Sequence, residues 1–264
     1  MTSGARDEVV MDVLRASGTA SVSDLAASLK VTEATVRRML HRMAREGRVI
    51  RTYGGATVAE GVQTAVSSQA DPEIAAKRRI GAVASRLVVD GSTIALSSGT
   101  TVLELARRLR HRRLTVITNA LDVANALLDA DDIELVVLGG VVLPGMHSMH
   151  GHLTEDALSD LRADTVFMGA SAIDLDNGFM TEQVREIAVD RALRSIAREG
   201  VLLADASKFD HMAPGFMFGF EQVGTVVTDD RVPARYVEAL EARGTRVIVA
   251  AEGGGPAIDV RDPA

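Results

Sequence analysis

The residues 97–101, Ser-Ser-Gly-Thr-Thr, follow the apolar run Ile94-Ala95-Leu96 and precede a helical pattern carried by Val102, Leu105, Ala106 and Leu109. A strand, a hydroxyl-rich glycine turn and a helix N-terminus together make an anion cradle. Backbone N–H groups point at the ligand and the helix dipole favours negative charge. Ser97, Ser98, Gly99, Thr100 and Thr101 are therefore expected to hold a phosphate or carboxylate. A second cluster, Asp-Ala-Ser-Lys at 205–208, follows the apolar Val201-Leu202-Leu203. Lys208 is expected to pair with the anion and Asp205 to accept hydrogen bonds from a hydroxyl or brace the turn. His147, His150 and His152 lie close together, but in a loop without helical ligand spacing or a clear fourth ligand. We expect no metal site and no cofactor, only a loop bordering the anion site.

These groups need a scaffold. From Gly91 the chain alternates between β-branched runs (STIAL, LTVIT, IELVVL, DTVFMG, GVLLAD, TVVT, RVIVA) and helical stretches at 101–110, 121–129, 154–162, 182–199 and 233–243. A further helix is expected over 72–87. Alternation of this kind builds a mainly parallel sheet, and ligands bind beyond the carboxyl ends of its strands. Asn119, Gly140, Gly169 and Ala170 fall at such ends and join the expected effector-binding set.

The N-terminal segment reads differently. Residues 1–60 hold nine Lys/Arg against seven Asp/Glu, whereas the remainder is strongly acidic and the whole chain carries −7. Seven basic and two acidic residues fall within Lys30–Arg51. A basic patch on an acidic body is the electrostatic footprint of a nucleic-acid-binding head. Three short helices are expected: Arg6–Ala16; one opening at the cap Ser23 with Leu25, Ala26 and Leu29 inward; and Glu33–Glu46, capped by Thr32 and ended by Gly47. Val36, Met39, Leu40 and Met43 fall on one face of the third. Thr32, Thr35, Arg37, Arg38, His41 and Arg42 then face DNA, in the manner of a helix-turn-helix recognition helix. Residues 47–58 suit a wing, with Arg51 available for phosphate.

The 264 residues divide into an expected head at 1–58, a linker at 59–72, a sensor domain at 73–251 and a disordered tail at 252–264. There is no cysteine, so disulfides and thiolate sites are excluded. No apolar run reaches the roughly 20 residues that span a bilayer, and the first ten residues do not read as a signal peptide. A cytoplasmic protein is expected.

The run 21–56 resembles the N-terminal domain of DeoR-type bacterial regulators at Leu25-Ala26, Thr35, Val36, Arg37, Arg38, Leu40, Arg51 and Gly54-Gly55-Ala56. Met39 stands where that family has Asp, and Thr32 where it has Ser. The motifs SGTT, LTVITN, VLGG, the pair Ser148 and Gly151, FMGASAID and LLADASKF resemble its C-terminal sensor domain, except that Ser97 replaces a usual Asp. The resemblance implies a winged helix-turn-helix head on an α/β domain related to ribose-5-phosphate isomerase-like folds. It further implies a DNA-binding repressor of carbohydrate metabolism genes, controlled by a phosphorylated sugar or related metabolite. Paired heads on operator DNA imply at least a dimer; an activator with the same parts is a further reading. The rival is a phosphosugar isomerase. The isomerase's Asp-Gly-Ala-Asp-Glu run corresponds here to Met168-Gly169-Ala170-Ser171-Ala172, and residues 176–183 offer no lysine. The three carboxylates that would move protons are missing from that run, which favours a sensor.

Overall fold

The computed structural model describes residues 7, 9–11, 13–14, 19–45, 49–52, 55–58, 71–142, 145–252 and 258–259. Two compact units divide at Asp71/Pro72. Most of the expected linker, 59–70, and the expected caps and wing tip at 47 and 53–54 lie outside the described residues.

In the first unit the described residues of 7–14 are helical. Strand β1 (Thr19–Ser21) leads into helix α1 (Val22–Leu29), a tight turn and helix α2 (Glu33–Arg45). Strands β2 (Val49–Thr52) and β3 (Gly55–Val58) form an antiparallel hairpin, and β1 pairs with β3 to make a three-stranded sheet. The cap of α1 is Ser21, not Ser23: its hydroxyl accepts from the Asp24 N–H at 3.1 Å. The helix starts two residues earlier than expected because Val22 belongs to its buried face with Leu25, Ala26 and Leu29. Lys30 ends α1 in the left-handed conformation at φ 53°, its N–H turned back to the carbonyls of Ala26 and Ala27. The Thr32 hydroxyl accepts from Thr35 N–H at 3.3 Å and starts α2. Val36, Met39, Leu40 and Met43 pack on Val10, Leu14, Leu25 and Val49 in one core.

The second unit is built on an eight-stranded sheet. In chain order its strands are β4 (Thr93–Leu96), β5 (Leu114–Thr118), β6 (Ile133–Val137), β9 (Ala163–Met168), β12 (Ala197–Leu203), β14 (Thr225–Asp229), β15 (Arg246–Ala250) and β16 (Ile258–Asp259). Between β6 and β9 lies the hairpin of β7 (Val141–Val142) and β8 (Met149–His150). The spatial order is β16-β15-β14-β12-β9-β4-β5-β6, every pair parallel except β15–β16. The chain grows outward from β4 to β6, then returns to the other side of β4 and grows from β9 to β15. The boundary between β4 and β9 is thus a topological switch point, where adjacent connections leave on opposite sides and open a crevice.

Strand residues alternate between two cores. Ile94, Leu96, Val116, Phe167, Leu203 and Val227 meet helices α3 (Ile74–Ala84), α4 (Thr100–Leu109) and α5 (Leu121–Leu127). Ala95, Ile117, Val166, Met168, Leu202 and Val226 form the other core. There they meet α6 (His152–Ser159), α7 (Ile187–Ile196), α8 (Ala234–Ala242) and a small antiparallel sheet of β10 (Ala172–Asp174), β11 (Gly178–Thr181) and β13 (Gly215–Phe218). Helices α3 and α4 cross closely at Gly81, where a Cβ would come within 2.8 Å of the Glu104 carbonyl carbon.

Three expectations are corrected. The helical stretch 182–199 yields α7 only over Ile187–Ile196. Ala197 instead pairs in register with Ala163, so β12 begins before the apolar run that marked it. The expected disordered tail contributes Ile258–Asp259 to the sheet edge as β16. The short strands β1, β7, β8, β10, β11 and β13 have no counterpart in the sequence reading; they are two to four residues long and carry too little alternation to read. Among the described residues no helix is long and apolar enough to cross a membrane.

Candidate functional site: an anion cavity and a basic helix

The Ser97–Thr101 turn lies at the switch point, directly after β4. Ser97 donates its N–H to the Phe167 carbonyl at 3.1 Å, which extends the β4–β9 pairing into the turn. Gly99, at φ 118°, precedes α4 in a conformation that L side chains rarely adopt, and nothing stands within 4 Å of where a Cβ would project. No side chain caps α4, so the first-turn N–H groups of this ten-residue helix have no side-chain acceptor.

The turn borders a cavity of about 270 Å³. Ser97, Ser98, Gly99, Thr100 and Thr101 line it, joined by Gly169 and Ala170 after β9 and by Lys208 in the short turn after β12. These eight expected residues, spread over more than a hundred positions, do converge. Asn119, Gly140 and Asp205 are not in its lining. The Asn119 amide donates to the Met149 carbonyl at 3.1 Å and ties down β8. Gly140 lies against Thr154 and His150. Asp205 is fully buried; it accepts from the N–H and hydroxyl of Ser207, capping the turn that carries Lys208, and its other oxygen lies 3.9 Å from the Lys77 ammonium. It therefore braces the site instead of facing a ligand.

The histidine loop does border the cavity, through residues other than its histidines. Gly145 and Met146 line the cavity, while the His147 ring sits 3.2 Å from Asp122 and His150 shares a 2.8 Å hydrogen bond with Ser148. Burial lowers the His150 pKa below the usual imidazole value. No group able to hold a metal ion is found among the described residues.

Sequence reasoning missed Lys77, Thr181, Gln183, Glu186 and Asp190, all of which line the cavity. Lys77 comes from α3 and Asp190 from the first turn of α7. Glu186 accepts from the Thr181 hydroxyl at 3.1 Å, and Ser98 of the turn also favours its ionised form. Burial pushes the Glu186 carboxyl upward against both influences, and burial followed by repulsion from Glu186 pushes Asp190 well above the ordinary range. The isomerase run does lack carboxylates, yet the cavity holds two from elsewhere in the chain. Their only sequence signal was helical spacing, since 186 and 190 are one turn apart.

In the first unit, Thr32 is exposed at the cap before α2, Arg37, Arg38 and His41 are exposed on the helix, and Thr35 is half-buried. Arg37 makes a 2.8 Å surface pair with Glu33. The two threonine hydroxyls lie 3.0 Å apart within the cap. Arg42 is spent differently: its guanidinium reaches both oxygens of the buried Asp7 at 2.7 and 2.8 Å, clamping α2 to the opening helical segment. It leaves the expected DNA-facing set. Arg51 lies on β2, and its side chain is outside the described residues.

Comparison with known proteins agrees with this division. Residues 6–62 match the DeoR-like helix-turn-helix domain and residues 73–230 the DeoR C terminal sensor domain. The chain is 30% identical over 254 residues to the HTH-type transcriptional repressor CsqR of Escherichia coli strain K12, covering 96% of this chain and 97% of that one. It is 28% identical over 237 residues to the Glycerol-3-phosphate regulon repressor of the same strain, covering 89% and 94%. Among solved structures, ribose 5-phosphate isomerase A from Methanocaldococcus jannaschii aligns with 50% of this chain and 53% of its own. That alignment has 20% identity and a TM-score of 0.38, too slight a likeness to carry an argument about activity. With both domains matched in order along most of its length, the chain belongs to the DeoR family of helix-turn-helix transcriptional regulators.

Proposed function

We propose that this protein is a cytoplasmic repressor that binds operator DNA through α2 and the β2–β3 wing, and that a phosphorylated small metabolite in the sensor cavity controls it. The observation that carries the effector reading is the cavity itself. An uncapped helix N-terminus, a hydroxyl-rich turn and two lysines meet at a topological switch point. A phosphate ester satisfies the N–H groups and the ammonium groups together. One relative is named a Glycerol-3-phosphate regulon repressor, which supports reading the effector as a phosphorylated metabolite. On the DNA side, Arg37, Arg38 and His41 stand exposed on a helix whose opposite face is packed. Symmetric operators call for paired heads, so the working unit is at least a dimer. Residues 1–58 serve as head, 59–72 as linker and 73–251 as sensor, with β16 added to the last.

In this reading the cavity senses its ligand and does not turn it over. Lys77 and Lys208, both in the lining, support reading the cavity as a binding shell for an anion. The test is selection of duplexes from a random pool by the full-length protein, then anisotropy on the selected duplex with and without a panel of sugar phosphates. Selective binding that one ester alters at micromolar to millimolar concentration is expected. Failure to enrich any duplex sequence would overturn the DNA reading, and a DNA complex indifferent to every phosphate ester would overturn the effector reading.

A further inference from the structure

The wall of the cavity formed by β11 and α7 carries chemistry that an anion does not use. Asp190 is 6% exposed and lines the cavity. No hydrogen bond or cation from the described residues reaches its carboxyl, and the neighbouring charge it feels is Glu186. A carboxyl withdrawn this far from bulk water gains from any hydrogen-bond partner that enters the cavity beside it. Here the group is aimed into a space where a ligand can supply the missing partner.

Ionised, the two carboxylates repel a second anion at this wall; in either protonation state they pair with hydroxyl groups, which both donate and accept. Glu186 already accepts from one hydroxyl, that of Thr181. Ser98 belongs to the Ser97–Thr101 turn and lines the same cavity as Glu186, whose ionised form it favours, so the two zones adjoin. A ligand spanning both has its anionic group and its hydroxyl groups a short distance apart. We propose that Asp190, with Glu186 beside it, reads the hydroxyl-bearing part of a polyol phosphate whose phosphate lies at the Ser97–Thr101 turn. The inference rests on the cavity being the seat of a phosphorylated effector. It makes Asp190 the residue that separates a polyol phosphate from phosphate alone.

Calorimetric titration of the full-length protein with inorganic phosphate, glycerol 3-phosphate, ribose 5-phosphate and glucose 6-phosphate tests it, using wild type, Asp190→Ala and Glu186→Gln. In the wild type at least one ester should bind ten times more tightly than inorganic phosphate or better. Asp190→Ala should reduce that ratio by tenfold or more while the affinity for inorganic phosphate holds or rises, since a negative charge has gone. Glu186→Gln should reduce the ratio less, in the same direction. Retained binding of inorganic phosphate also certifies that the variant cavity is folded. An unchanged ratio in Asp190→Ala, or a wild type that binds no ester better than inorganic phosphate, overturns the proposal and leaves the anion site standing. Loss of inorganic phosphate along with the esters also overturns it, by marking Asp190 as a strut of the cavity. A wild type that binds neither phosphate nor any ester removes the underlying anion reading.

Discussion

The Lys77 ammonium on α3 lies 3.9 Å from a carboxylate oxygen of Asp205 at the end of β12, with both side chains buried. Lys77 also lines the cavity at the switch point, so one cation serves both the docking of α3 and that cavity. Removing one partner of such a pair leaves the other charge uncompensated. Lys77→Met is expected to cost about 3 kcal/mol of stability, near the low end for a broken buried pair because Ser207 still donates to Asp205. Urea unfolding measures this; a destabilisation below about 0.5 kcal/mol would show that the pair is not a strut.

Lys208 stands on the same cavity but is only half-buried, and no ion pair to it is found among the described residues. Lys208→Ala is therefore expected to leave stability nearly intact and to weaken binding of a phosphorylated effector by roughly ten- to a hundredfold, the worth of one charge-assisted hydrogen bond. Affinity for operator without effector should hold. An unchanged effector response in anisotropy would remove Lys208 from the site.

The arginines of α2 should separate into two kinds. Arg37→Ala and Arg38→Ala should each flatten the salt dependence of DNA binding, by about 0.9 in log–log slope for every DNA phosphate the side chain neutralises in the wild type. Arg42→Ala should instead destabilise the first unit by about 1–3 kcal/mol, because the buried Asp7 is deprived of its bidentate donor. Thermal unfolding alongside salt titrations distinguishes them. A purely electrostatic effect of Arg42→Ala with no change of stability would return Arg42 to the DNA-facing set.

Asp190 predicts a pH signature. Its pKa is raised in the folded protein, so the native state holds its proton more tightly than the unfolded chain does. The resulting stability is fully present below the ordinary Asp value of 3.8 and is lost as pH rises through the raised value. Asp190→Asn removes this dependence. The variant's Tm should exceed that of the wild type by a margin that widens from about pH 4 to about pH 8, by about 2–4 °C for each kcal/mol relieved. Parallel Tm–pH curves would contradict it.

The carboxyl pair also makes turnover worth measuring. Purified protein should not interconvert ribose 5-phosphate and ribulose 5-phosphate. Turnover that disappears in Glu186→Gln would reverse the sensor reading in favour of an isomerase.

Local rules were enough for much of this molecule. The buried face of α2 follows from Val36, Met39, Leu40 and Met43 at helical spacing. The parallel sheet follows from alternating runs, and the strand–turn–helix at Ser97–Thr101 from glycine and hydroxyl residues between a strand and a helix. Each rests on interactions within a few residues, which sequence spacing encodes directly. Tertiary structure decided the rest. Arg37 and Arg42 look alike in sequence, yet only Arg42 meets a buried carboxylate, supplied from 35 positions away. The sequence leaves Asp205 free to face a ligand or to brace the turn; its bonds to Ser207 and the approach of Lys77 from α3 show it as a brace. Glu186 and Asp190 read as ordinary charges on a helix until the strand order sets that helix beside the switch point and withdraws them from water. Spacing along the chain fixes which face a side chain takes; what that face meets depends on long-range packing, and burial then sets the group's charge state and its partner.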